Sequence, residues 1–371
     1  MKRVSYLVTY LLIVQHCFSQ APDLSYVKTA MDKAMAQYFK PNAPGGSIFI
    51  EFQGNTIYKA SFGLSDIKRN ISFSDNTVAN VGSVSKIFVA YAILKLQEEG
   101  KLSIEDNLAK YFSDFKNPSI AEKIKIKHLI THTSGLPDSR QITRDSVFYL
   151  TAKDAENFAP LLQTDALEFE PGSRWNYSNP AYNGLALIIE KLTGKKWQKY
   201  VEEKIFKPAK MRSSVITDGA EPSKGVAHGY RKYDGEWQEY DYGEYPTFCA
   251  AGNGGVWSSV DDLIKYTDAI AEYKFLPKRI IDFSETAWRP ANWKGAKAPT
   301  HGFCWFVHTN GYELNGVKIK EEVIEHTGDQ GGFRAHVFMI PSKQFRLIWL
   351  TNGEQFLTGT ILKVLRDNNV L

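Results

Sequence analysis

Apolar side chains recur at helical spacing through residues 23–39, at Leu24, Val27, Met31 and Met35, and the pattern stops before Pro41. Shorter apolar runs follow. Residues 47–52 and 56–62 predict two strands joined at Gln53-Gly54-Asn55, a hairpin signal. Residues 84–100 predict a long helix with a buried stripe of Phe88, Ala92, Ile93 and Leu96, stopped by Gly100. Residues 102–211 read as helices with loops, the most apolar running over 181–192 and ending at Gly194. Strand-like runs rich in Phe, Trp, Val and Ile return at 302–308, 333–340 and 345–351, and a last helix covers 355–366.

Strands open the chain, helices fill its middle and strands close it. The economical fold is α+β: an antiparallel β-sheet built from both ends of the chain and flanked by helices. The α/β part covers about 20–101 and 212–371, and a mainly helical sub-domain, about 102–211, is inserted between its halves. A cleft is expected where the two meet. The first residues change the picture. Lys2 and Arg3 precede a short apolar run, 4–14, and Cys17 and Ser19 stand at the −3 and −1 places of a cut before Gln20. Residues 1–19 therefore read as an export signal, too short to span a bilayer comfortably. A retained anchor and a lipoprotein at Cys17 are the alternatives, the latter disfavoured by Gln15 and His16. Cleavage takes two of the 45 basic residues and none of the 41 acidic ones, so the net charge falls from +4 to +2. With no long run of one sign, nucleic acid is excluded as an expected partner. Cys249 and Cys304 would remain, either paired in an oxidising compartment or as two buried thiols.

Signatures of zinc proteases, nucleotide-binding loops and the Gly-x-Ser-x-Gly elbow are missing. Ser-x-x-Lys occurs at Ser25/Lys28, Ser65/Lys68, Ser83/Lys86 and Ser113/Lys116, but only Ser83 opens a long apolar helix. Residues three apart share a helix face, which places Lys86 beside the Ser83 hydroxyl. A serine hydroxyl is a weak nucleophile and needs a neighbour to take its proton. The alternative is a helix-capping serine and a solvated lysine. Tyr177-Ser178-Asn179 is a single Tyr-x-Asn on a loop before the 181–192 helix. Tyr177 suits a base that later acts as acid. Asn179 offers an amide N–H to a substrate carbonyl, or it caps the next helix ahead of Pro180. His326-Thr327-Gly328 precedes the 333–340 strand. His326 there is either a hydrogen-bonding group of a site or a structural histidine, and Gly328 allows close approach to the backbone. His128 and His132 lie four apart, but no third metal ligand accompanies them. Asp261-Asp262 reads as a charged helix start.

In this order, Ser83-x-x-Lys86, Tyr177-x-Asn179 and His326-Thr327-Gly328 resemble the serine β-lactamase and penicillin-binding-protein superfamily. The branch it resembles most contains the class C β-lactamases with esterases and D-amino-acid peptidases. Residues 81–86, 129–136, 169–179, 252–259 and 326–341 carry the likeness, which extends over about 40–355. The resemblance implies a β-lactamase/transpeptidase-like fold and an acyl-enzyme on Ser83. It implies that Lys86 and Tyr177 relay the Ser83 proton and that Asn179 steadies the substrate amide. The implied oxyanion hole joins the backbone N–H of Ser83 to one after Gly328, on Asp329. No metal or organic cofactor is implied. The chain departs from the family pattern at His326, where β-lactamases carry a lysine, and Lys-x-Gly occurs nowhere in it. A lysine is a lasting cation for a substrate carboxylate, whereas histidine is mostly neutral at pH 7. The expected function is thus a periplasmic or secreted serine hydrolase acting on a small ester, amide or peptide. A β-lactamase or D-Ala-D-Ala carboxypeptidase and an inactive ligand sensor are the alternatives.

Overall fold

The computed structural model describes residues 25–138, 151–216, 226–239, 251–297, 300–303 and 305–371. The expected export signal, Cys249 and Cys304, and much of the loops at 138–158 and 230–247 lie outside the described residues.

The central sheet has six antiparallel strands: β1 (Gly46–Phe52), β2 (Asn55–Phe62), β3 (Phe306–His308), β4 (Val323–Gln330), β5 (Phe333–Ile340) and β6 (Phe345–Thr351). Their spatial order is β3-β4-β5-β6-β1-β2. The N-terminal hairpin joins the C-terminal strands through β1 and β6, with Gly46 opposite Thr351 and Phe52 opposite Phe345. The sheet is therefore built from both ends of the chain, as expected.

Successive strand residues face opposite sides. Ile48 and Ile50 of β1 and Leu347 and Trp349 of β6 pack with Val27, Met31 and Met35 of α1 (Ser25–Met35) and Ile361, Leu362 and Leu365 of α5 (Thr358–Asp367). Phe49, Ile348 and Leu350 face the other way, into a larger core shared with α2 (Ser85–Glu98), α3 (Asn179–Thr193) and α4 (Val260–Ala271). The helices Pro118–Lys123, Ile126–Ile130, Asp154–Leu162 and Trp197–Val201 complete the middle of the chain.

Three differences from the sequence pattern have physical reasons. The α2 stripe becomes a helix buried nearly all round, because every residue from Ser85 to Leu94 is covered. Phe206 and Tyr266 close on Phe88 at 5.3 and 4.4 Å, and Phe275 closes on Tyr91 at 5.5 Å. The run at 302–308 is strand only over Phe306–His308, because Gly302 N–H donates to the Trp305 carbonyl at 2.8 Å and turns the chain. Finally, His326 precedes the 333–340 strand as expected but lies inside a further strand, β4, which pairs along its length with β5. Glu325, His326, Asp329 and Gln330 interrupt the apolar run and hide that strand from a hydrophobicity pattern.

Candidate active site

Ser83 stands in a single 3-10 turn, Gly82–Val84, immediately before α2. Gly82 has φ +51°, which glycine adopts without strain. Its N–H donates to Asn80 Oδ1 at 2.8 Å, and Asn80 Nδ2 donates to the Gly254 carbonyl at 3.1 Å. The turn is thus tied on its far side to the 251–256 segment, and Val256 N–H donates to Ser85 Oγ at 3.0 Å. Strand β4 passes against the same turn. A Cβ on Gly328 would lie 2.0 Å from the Val81 carbonyl oxygen and 3.1 Å from Ser83 N. A Cβ on Gly82 would lie 2.8 Å from Asp329 N. These two glycines let the backbone nitrogens of Ser83 and Asp329 share one small region.

Lys86 is fully buried one turn on. Its Nζ donates to Ser83 Oγ at 2.9 Å, Asn179 Oδ1 at 2.9 Å and the Asn253 carbonyl at 2.7 Å. The Tyr177 ring lies 5.0 Å from Nζ and the Tyr182 ring 5.8 Å. The three neutral acceptors match the three donors of an ammonium group, and the two rings add favourable quadrupoles.

Tyr177 is on the loop entering α3, and Asn179 is the first residue of that helix. The cap is Ser178, which accepts from Ala181 N–H, rather than Asn179. That leaves the Asn179 amide oxygen for Lys86, while its Nδ2 lies 3.4 Å from Asp138 Oδ2. His132 packs its ring 4.3 Å from that of Tyr177.

His326 is 1% exposed, and its Nδ1–H donates to the Thr327 carbonyl at 2.8 Å. Burial, with the nearby Lys86 charge, pushes its pKa down to about 3, so the ring is neutral at pH 7. Phe306 packs against it at 5.4 Å and against Trp175 at 6.1 Å, placing an aromatic wall beside Tyr177. His128 Nδ1 accepts from Lys125 N–H, and Asp261 pairs with Lys59 at 2.6 Å, both as local structure. Asp262, which is buried, accepts from the Ser213 and Ser214 N–H groups.

The structure therefore brings Ser83, Lys86, Tyr177, Asn179, Gly328 and Asp329 together, with His326 near Lys86. Sequence reasoning missed Asn253, whose contribution is a carbonyl and hence independent of its side chain. It also missed Asp154, a buried carboxylate that accepts from Gly252 N–H at 2.8 Å, Asn183 Nδ2 at 2.7 Å and Trp197 Nε1 at 2.9 Å. Asp154 anchors the segment that presents the Asn253 carbonyl. The Gly-Asn-Gly-Gly run at 252–255 was the available signal.

A serine beside a buried lysine, a tyrosine against that lysine and two neighbouring backbone nitrogens match a serine hydrolase site. The Beta-lactamase family model matches residues 26–363, so the chain belongs to that family, within the serine β-lactamase and penicillin-binding-protein superfamily. Penicillin-binding protein 4* of Bacillus subtilis is 27% identical over 84% of this chain and 68% of its own length. Protein flp of Staphylococcus aureus is 27% identical over 84% of this chain, which spans only 60% of that relative. Among solved structures, the octameric penicillin-binding protein homologue from Pyrococcus abyssi superposes with a TM-score of 0.77 at 25% identity, over 94% of this chain and 77% of that one. The D-amino acid amidase of Ochrobactrum anthropi SV3 superposes at 0.74 with 18% identity, over 94% and 99%, a likeness of fold. Among the described residues, no helix is long and apolar enough to cross a membrane.

Proposed function

We propose that the protein is an exported serine hydrolase that cleaves a small ester, amide or peptide bond through an acyl-enzyme on Ser83. The carrying observation is the buried Lys86 ammonium donating to Ser83 Oγ at 2.9 Å. With its oxygen accepting from Lys86, Ser83 directs its own proton elsewhere, and Tyr177 is the base placed against the same lysine. Ser83 Oγ attacks the carbonyl carbon as Tyr177, the phenolate form of which is favoured by the Lys86 charge beside it, takes the proton and becomes a neutral phenol. The backbone N–H groups of Ser83 and Asp329 receive the oxyanion. Tyr177 then returns the proton to the leaving group, and water hydrolyses the ester to Ser83. Asn179 steadies the substrate amide with the Nδ2 hydrogen that Asp138 does not take. Gly328 gives the substrate access to the β4 backbone. This chemistry needs no metal or organic cofactor. The cleft lies between the α/β part (about 20–101 and 212–371) and the helical insertion (about 102–211), and export to the periplasm or medium follows from the leader at 1–19.

The neutral His326 favours a substrate without an obligatory carboxylate, because an imidazole held uncharged offers no cation to bind one. The likeness to penicillin-binding protein 4* supports a second reading, a β-lactamase or D-Ala-D-Ala carboxypeptidase. The intact Ser83–Lys86 contact disfavours an inactive sensor. Intact-protein mass after brief exposure to a p-nitrophenyl ester, and separately to a penicillin, tests these readings with Ser83→Ala as control. An adduct from the ester alone, absent in the control, is expected. A rapid Ser83-dependent penicillin adduct would put the second reading first, and no adduct from either would leave the sensor.

A further inference from the structure

His132 touches neither Ser83 nor Lys86 by any hydrogen bond described above, yet it grips Tyr177 from both sides. Its carbonyl accepts from Asn176 N–H at 2.9 Å and its Nδ1 accepts from Ser178 N–H at 3.1 Å. The residues before and after Tyr177 therefore hang from one side chain and its own backbone. The imidazole also backs the Tyr177 ring, with centroids 4.3 Å apart and planes 31° from parallel. Its other ring neighbours include His301 at 5.0 Å, Tyr182 at 5.2 Å and Trp175 at 6.1 Å. His132 is fully buried and holds φ +55°, a conformation that costs a non-glycine residue energy and persists only where its surroundings demand it. The turn it makes is what lets its carbonyl and ring address the same loop.

We propose that His132 is the positioning residue of the site: it fixes where the Tyr177 phenol stands over Lys86 and Ser83 without itself meeting the substrate. The inference rests on Tyr177 taking the Ser83 proton. Because Nδ1 accepts from a backbone N–H, the neutral ring carries its proton on Nε2, and charging Nδ1 would break the Ser178 bond. Burial, with the positive Lys86 and the rings of His301 and His326 nearby, holds the His132 pKa well below its usual value, so the accepting form persists.

Three variants separate the contacts. His132→Asn keeps an acceptor near the Nδ1 position and tolerates positive φ, but lacks the ring. His132→Phe keeps a ring and lacks the acceptor. His132→Ala lacks both. The first readout is the rate of Ser83 acylation by the p-nitrophenyl ester, corrected for folded protein by circular dichroism. A displaced base costs roughly 10²-fold in His132→Ala, on the scale of a 1 Å misplacement, with half-saturating ester unchanged within about twofold. His132→Asn recovers about a tenth or more of the wild-type rate. A role confined to folding would lower the melting temperature and leave the rate per folded molecule intact, which would overturn the proposal. The second readout needs no turnover: the Tyr177 signal in protein labelled with 13C at tyrosine Cζ, assigned by Tyr177→Phe. Its shift moves in His132→Ala while that of the distant Tyr58 stays. An unmoved Tyr177 signal overturns the positioning role even if the wild-type chain hydrolyses nothing, and absent turnover with a moved signal overturns only the catalytic reading.

Discussion

Each catalytic candidate acts through one or two atoms placed by its neighbours, and that decides what a substitution should do. Ser83→Ala removes one oxygen from a turn held by Asn80 and β4, so turnover should vanish while the melting temperature stays within a few degrees. Ordinary turnover in that variant would refute the nucleophile. Tyr177→Phe keeps the stack on His132 at 4.3 Å and loses the phenol oxygen. Acylation should slow by about 10²–10⁴-fold with substrate binding retained. Unchanged acylation would make Lys86 the sole base. Gly328→Ala forces a methyl to within 2.0 Å of the Val81 carbonyl, so β4 must retreat from the Ser83 turn. Loss of one oxyanion donor costs roughly 10²–10³-fold in rate, and a variant with full activity would place the oxyanion elsewhere. Ser83, Lys86, Tyr177, Asn179 and Gly328 stood out in the sequence because a motif shows side chains, or the lack of one, and the structure brings these five together. Asn253 and His132 did not stand out, since one contributes a carbonyl and the other works through packing and backbone contacts that a lone histidine does not announce.

Among the elements, α3 shows how a small error of register matters. Pro180 and Asn179 suggested an asparagine cap, but Ser178 holds that place and Asn179 turns inward to Lys86. Ser178→Ala should cost about 0.5–1 kcal/mol, measured by urea unfolding, with Asn179 still in place. An unchanged midpoint would mean that Pro180 alone starts the helix. The hairpin of β1 and β2, the strands β5 and β6 and the helix α2 were legible from periodicity and turn signals. Strand β4 was not, because it carries buried polar groups. Glu325 accepts from His336 Nε2 at 2.7 Å and His308 Nε2 at 3.0 Å, so partners across the sheet satisfy what the sequence pattern reads as polar interruption.

The whole molecule keeps an unusual set of buried titratable groups, and their balance predicts how it responds to acid. Burial lowers the pKa of His128 and His301 to about 4 and of His326 to about 3, and His132 is also well below its usual value. Burial raises Asp154 and Glu285 to about 7. At pH 5 the unfolded chain protonates all four imidazoles, which the folded chain keeps neutral. The same unfolding releases protons from the two carboxyl groups. The net is an uptake of about two protons, so stability rises with pH between roughly 4.5 and 6.5 and falls on acidification. The melting temperature should be lower at pH 5 than at pH 7. Equal or higher values at pH 5 would mean that the buried imidazoles are charged.

The seam between β1 and β6 joins residues about 300 apart, as in the pairing of Gly46 with Thr351. β4, which completes the surroundings of Ser83, also lies late in the chain. A ribosome therefore releases Ser83 long before Asp329, whose backbone nitrogen is the second of the proposed oxyanion pair, and before the strand that locks the sheet. Contacts this distant in sequence form slowly, after much loop entropy has been lost. On the proposed mechanism, Ser83 therefore becomes reactive only at the end of folding.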